Sequence, residues 1–249
     1  MRAAIVLTLG RAGVLSPPAK AVSNRESERA AKWRPVVGEL RRRYLDALLD
    51  GVEEVAERVV REAIDADMPE AIIDAEVITP AMRTVGDLWK DGAITVADEH
   101  LATQISTRVL MLQREAFRAV ERRPGAPVLL LGMPGEHHIL GLQMAASMLL
   151  HAGYGVVMLG GDVPLGDLSA AVERHRPAVV GLTATMPGAG AQLKAAIEAV
   201  RVRAPGIGMI AGGAGVPTSL CAVAGVAVCQ YVGDTVELTD GLLHRSALN

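Results

Sequence analysis

Aromatic side chains are nearly absent from this chain: Phe, Tyr and Trp make up 2% of its 249 residues, with two Trp, three Tyr and one Phe. Half of the residues are nevertheless hydrophobic, so the core has to be built from Ala, Val, Leu, Ile and Met. Such a composition suits helices packed closely on a sheet. An excess of basic charge is also missing. Twenty-five basic against 28 acidic residues leave a net charge of −3, without the basic footprint of a nucleic-acid-binding domain, and no direct DNA binding is expected. No apolar run approaches the roughly 18 residues of a membrane span. The two cysteines, Cys221 and Cys229, have no His or Cys partner at zinc-site spacing. They read as buried free thiols of a reducing compartment, and the expected location is the cytoplasm. Four catalytic or nucleotide signatures are lacking as well: G-x-G-x-x-G after a first strand, a P-loop, a nucleophile elbow and H-E-x-x-H.

What is present divides into two periods. Residues 1–34, with the apolar start cut at Gly10-Arg11, read as a flexible extension. From Pro35 to residue 122 the pattern is helical. Leu40, Tyr44, Leu48 and Val52 recur at four-residue spacing, and Val55, Val59 and Ala63 continue it beyond a break at Gly51. Pro69 suits a helix start. Thr79-Pro80 reads as N-cap and first position of a further helix that ends near Trp89–Gly92. Thr95 and Asp98 form a capping-box-like start for a last helix with Leu101, Ile105, Val109, Leu112 and Ala116 on its apolar face. Helices joined this closely predict an antiparallel bundle.

"ERRPGAP" (121–127) marks the domain boundary, and beyond it the period changes. Short apolar runs at 128–131, 156–159, 179–182, 209–211 and 226–231 alternate with amphipathic stretches at 139–151, 165–175, 189–203 and 217–224. This alternation predicts an α/β domain over 127–249, a five-stranded parallel sheet of flavodoxin or Rossmann-like order.

Ligands of such sheets collect at the carboxyl ends of strands, and three loops there carry polar or permissive residues. The first contains Glu136, His138 and Gly141. An acid two residues from a histidine can hold one ring nitrogen and direct the other at a metal. The second presents the hydroxyls of Thr183 and Thr185, and the third brings Gly212-Gly213. The succession E-x-H-x-x-G, T-x-T, G-G resembles the signature of the cobalamin-binding domain family. The resemblance implies cobalamin bound base-off, with His138 as lower axial cobalt ligand, Glu136 as its partner and Gly141 as clearance for the nucleotide tail. It further implies that Thr183 stands for the motif serine and that Gly212-Gly213 flank the tail slot. Thr185 departs from the motif leucine. His137 has no role and is expected to be exposed.

The helical half adds Trp89, followed after nine residues by Glu99-His100. This spacing resembles the cap of the adenosylcobalamin-dependent photoreceptor regulators, light-responsive repressors of carotenoid genes, whose DNA-binding domain is not expected within residues 1–34. The resemblance implies that the bundle caps the upper face of adenosylcobalamin through Trp89, Glu99 and His100. A histidine commonly follows the tryptophan in that family and binds cobalt after photolysis. Lys90 stands there in this chain, and an ammonium group has no lone pair for cobalt, so His100 or water becomes the upper ligand instead. The expected function is a non-enzymatic light sensor that signals through a protein partner or a homo-oligomer. The alternatives are a corrinoid methyl-carrier protein of a methyltransferase system and a plain cobalamin carrier.

Overall fold

The computed structural model describes residues 24–116 and 121–247. The chain falls into two compact units that divide within one helix, between Val109 and Leu110.

The helical unit begins with α1 (Asn24–Leu49), then α2 (Glu53–Asp65). Helix thus already exists ahead of Pro35, within the stretch expected to be a flexible extension, whose residues before 24 lie outside the described ones. The physical reason is local: "RESERAAK" (25–32) is rich in Ala, Arg, Glu and Lys, which hold a helix well. The α1–α2 turn forms at Gly51, with φ +68°. Arg43 of α1 clamps Glu62 of α2 through two hydrogen bonds of 2.6 and 2.9 Å.

Thr79 does not cap a helix. α3 (Glu70–Ile72), a π-helical turn (Ile73–Ile78) and α4 (Thr79–Lys90) follow without interruption, and Thr79 has helical φ and ψ of −58° and −46°. Pro80 explains the detour. It lacks the N–H that would reach the Glu76 carbonyl and its ring crowds that carbonyl, so the helix widens by one residue there. The Glu76 carbonyl accepts instead from Arg41 Nε of α1, at 2.7 Å. Arg41→Ala is expected to cost about 1 kcal/mol of stability, read as a lower thermal midpoint of the cofactor-free protein.

α4 ends as expected. Gly92 takes φ +75° and Ala93 N–H donates to Leu88 O at 2.9 Å, the bonding of a glycine C-terminal cap. The capping box of α5 (Val96–Ala116) also forms. Thr95 N–H donates to Asp98 Oδ2 at 2.8 Å, and Asp98 N–H to Thr95 Oγ1 at 3.2 Å. The buried stripe of α5 is rotated from the expected one. It runs through Ala102, Ile105, Ser106, Val109, Leu110 and Gln113, while Leu101 and Ala116 are exposed. Ser106 is buried because it accepts the hydroxyl of fully buried Tyr44 at 3.0 Å and donates to Met82 Sδ, so a polar position joins the core face.

The α/β unit runs β1 (Val128–Gly132), α6 (Leu140–His151), β2 (Val156–Gly160), α7 (Leu165–His175), β3 (Val179–Thr183), α8 (Gly190–Arg203), β4 (Gly208–Gly212), β5 (Val226–Cys229) and α9 (Thr235–Ala247). A 3-10 turn, Thr218–Ala222, takes the place of the helix expected at 217–224, and β5 stops two residues early, leaving Tyr231 exposed. All strand pairs are parallel, in the order β2-β1-β3-β4-β5. This is the flavodoxin-like order. β1 and β3 are buried throughout, which is why they read as the apolar runs "VLLL" and "VVGL". Alternate residues of β1 serve two cores: Leu129 and Leu131 pack on the α7/α8 side, Val128 and Leu130 on the α6/α9 side. Cys221 is exposed and Cys229 half-buried, both free, so the pair of buried thiols is corrected. In the 3-10 turn Leu220 takes the buried position and turns Cys221 outward. Among the described residues no helix is long and apolar enough to cross a membrane.

Candidate functional site

The chain leaves β1 toward β2 on one side of the sheet and returns to β3 on the other, so the strand order reverses between β1 and β3. The carboxyl ends of these two strands form the switch point where ligands of open α/β sheets bind. Two of the loops singled out in the sequence leave from it, and the third follows neighbouring β4.

Glu136 organises the first loop. Its side chain is 2% exposed, against 32% for His138. Glu136 Oε1 accepts from the backbone N–H of His138 at 2.7 Å and from His138 Nδ1–H at 2.7 Å. Oε2 accepts from the backbone N–H of Thr185 and from Thr185 Oγ1, the latter at 2.6 Å. Thr185 Oγ1 also lies 3.0 Å from His138 Nδ1. The residue that departed from the family pattern is thus built into the histidine's hydrogen-bond relay. Burial pushes the Glu136 carboxyl up, but the hydrogen bonds from His138 and Thr185 outweigh it and hold its pKa at about 2. The carboxylate stays ionised, fixes Nδ1 as the protonated nitrogen, and makes Nε2 the nitrogen with coordinating character.

A pH dependence follows. Glu136 has its folded pKa depressed, so the stability it contributes is full above its ordinary value of 4.5 and is lost as pH falls toward about 2. Thermal melts of Glu136→Gln and the parent should differ most above pH 4.5, and the gap should narrow steadily below it.

The other predicted positions sit around this relay. Thr183 closes β3 and is buried. Gly212 closes β4, where a Cβ would meet nothing nearer than 3.6 Å. Gly213 is different: it has φ +107°, and a Cβ would lie 2.3 Å from the Ala184 carbonyl oxygen. Gly141, in the first turn of α6, has nothing within 4 Å of a Cβ position. His137 is exposed. Sequence reasoning passed over the loop after β2, "GGDVP" (160–164). Gly161 approaches the Glu136 backbone so closely that a Cβ would lie 2.3 Å from its carbonyl oxygen, and Asp162 N–H donates to that oxygen at 2.9 Å. The available signal was a Gly-Gly-Asp at the carboxyl end of a predicted strand.

In the helical unit, Glu99 and His100 lie at the start of α5, Glu99 in its first turn and His100 directly after it. Glu99 Oε2 meets His100 Nδ1 at 2.7 Å, and Glu99 Oε1 accepts from Thr103 Oγ1 at 3.0 Å. His100 is 70% exposed and Glu99 only 12%, so the acid is held against the helix and the imidazole projects from it. Val96, one turn earlier, is also exposed. Trp89 is half-buried at the end of α4 and Lys90 is exposed. Among the described residues no cluster of three or more His, Cys, Asp or Glu side chains could hold a metal ion by itself.

Comparisons with known proteins point the same way. Two models described as B12 binding domains match, one over residues 40–112 and one over 127–238. Among characterised proteins, the HTH-type transcriptional repressor CarH of Myxococcus xanthus is 32% identical over 177 residues, 71% of this chain and 58% of the repressor. Trimethylamine corrinoid protein 1 of Methanosarcina acetivorans is 27% identical over 143 residues, 57% of this chain and 66% of that protein. The chain thus spans less than two thirds of either relative. Among solved structures, the monomethylamine corrinoid protein of Methanosarcina barkeri superposes with a TM-score of 0.71 at 16% identity, over 84% of this chain and 99% of that one, a likeness of fold.

Proposed function

Because the chain belongs to the B12-binding family, with B12 binding domains over both halves, we propose that it is a light sensor that binds adenosylcobalamin base-off, with His138 as the lower axial ligand of cobalt. The observation that carries this reading is the relay Thr185–Glu136–His138, which fixes the tautomer that coordinates a metal through Nε2. The donor set fits the group: a corrinoid supplies its own equatorial nitrogens and asks the protein for a single imidazole. Gly141 and Gly212, where an added Cβ would meet no close contact, are the clearances for the nucleotide tail, and Thr183 is a polar contact beside it.

Trp89, Glu99 and His100 are the residues of the helical unit that would contact the upper ligand. Adenosylcobalamin supplies a light-labile cobalt–carbon bond when bound. Trp89, Glu99 and His100 would change partners when that bond is lost, and the two states would differ in the surface offered to a protein partner or a second copy. His100 is the only histidine among residues 1–109, and it takes the role of upper imidazole that Lys90 cannot fill. The regulatory half of this proposal draws on the likeness to the repressor. The likeness to the trimethylamine corrinoid protein supports a second reading, a methyl carrier acting with methyltransferases.

The test is an absorption spectrum of the protein mixed with adenosylcobalamin in the dark and again after green light, with size-exclusion chromatography of both samples. A bound cofactor whose spectrum changes irreversibly together with the elution volume supports the sensor. Equal retention of methylcobalamin with no response to light in assembly or conformation supports the carrier. Gly141→Ala separates fold from site. It should leave the cofactor-free protein as stable or up to about 1 kcal/mol more stable, since alanine suits a helix better, yet weaken cobalamin binding in a titration.

A further inference from the structure

We infer that Asp162, in the loop after β2, is a positioning residue that holds the His138 loop in the geometry needed to coordinate cobalt. The inference rests on the lower-ligand reading above and adds the element that fixes the loop's backbone. Glu136 offers three acceptor oxygens, and each is used by a different part of the fold. Oε1 takes His138, Oε2 takes Thr185 after β3, and the main-chain carbonyl takes Asp162 N–H after β2 at 2.9 Å. Asp162 also returns the contact. Its Oδ1 accepts from Gly135 N–H at 2.7 Å, so side chain and backbone of one residue grip the two consecutive residues 135 and 136.

The grip has a conformational cost that function explains. Asp162 holds φ +52°, a left-handed backbone that non-glycine residues adopt seldom and Asp or Asn more readily than others. Gly161 before it lets the two loops touch, and Val163 N–H donates to Gly132 O at 3.1 Å. Without this brace the turn from Met133 to Glu136 keeps its own Glu136 N–H···Met133 O bond at 2.9 Å, but nothing from β2 sets where Glu136 stands. The relay aims His138 only if Glu136 is itself fixed from both neighbouring strands, through Thr185 on one side and Asp162 on the other. A group hydrogen-bonded to a metal ligand commonly controls affinity by 10–100-fold, and Asp162 acts one step further out, through Glu136, which sets its effect at the low end of that range.

Three substitutions separate the acceptor from the backbone angle. Asp162→Asn keeps an acceptor oxygen and tolerates the left-handed backbone. Asp162→Gly keeps only the angle, and Asp162→Ser keeps a side chain too short to reach Gly135. Each is titrated with hydroxocobalamin and its absorption spectrum read for histidine ligation, beside the parent, His138→Ala and a melt of the cofactor-free protein. Asp162→Asn should match the parent, while Asp162→Gly and Asp162→Ser should bind about tenfold more weakly and lose part of the histidine-ligated spectrum. Should one of the two fail to fold, the other carries the comparison. Parent-like binding and spectra in the Gly and Ser variants overturn the inference, and so does an Asn variant as impaired as they are. Failure of the lower-ligand reading shows differently: His138→Ala then keeps the parent spectrum.

Discussion

His138→Ala is expected to leave the fold intact and to lose the histidine-ligated spectrum entirely, with cobalamin affinity lowered by more than about tenfold. The fold is spared because the His138 side chain is about one third exposed and contributes little to the core. Glu136 keeps both hydrogen bonds from Thr185 and the one from the backbone N–H of residue 138, so the buried carboxylate is not stranded. The cofactor should bind weakly in this variant through its tail, with water or nothing in the lower position. A titration and an absorption spectrum read both effects. An unchanged spectrum would mean that another nitrogen occupies cobalt.

The second large effect is on stability. Gly213→Ala should destabilise the α/β unit by about 3 kcal/mol, since an L side chain is strained at φ +107° and its Cβ would overlap the Ala184 carbonyl. For a chain of this length the midpoint should fall by roughly 10 °C. That carbonyl already accepts from Gly215 N–H at 2.9 Å, and Ala184 N–H donates to Gly212 O at 2.9 Å, so neither loop can retreat without losing a bond. Gly212→Ala makes the contrast. Its Cβ has room in the cofactor-free protein, so the melt should barely move while cobalamin binding weakens. Two adjacent glycines would thus be required for different reasons, one by the fold and one by the ligand. Melts and titrations of both variants check this directly.

Much of this was legible from periodicity. The central strands are buried on both faces and read as short apolar runs, and it is the alternation of these runs with amphipathic stretches that sets "VLLL" apart from a run such as "VLML" (109–112), which lies within α5. The reversal of strand order followed from helices joining parallel strands, and with it the position of the Glu136 and Thr185 loops. Three features were not legible. The π turn before α4 depends on a bond from Arg41, far away in sequence, so Thr79-Pro80 looked like a helix start. α9 escaped because its pattern is thin: Gly241 interrupts it, and Leu242 is its one buried hydrophobic among the described side chains. Asp162 escaped because its importance lies in a left-handed angle and in contacts to a loop on another strand, neither of which has a period. For the site, residue types pointed to the chemistry, while the link from Thr185 to Glu136 required the fold to bring two loops together.

On the reading proposed above, the imidazole of His138 replaces the cofactor's own base on cobalt. The most direct measurement is an electron paramagnetic resonance spectrum of the protein loaded with cob(II)alamin after labelling its histidines with nitrogen-15. An axial nitrogen from the protein splits each cobalt line into a doublet, whereas the unlabelled base of the cofactor splits it into a triplet. The doublet is the predicted result, and it should vanish in His138→Ala. A triplet in the parent protein would show the cofactor bound with its own base in place, and would contradict the account.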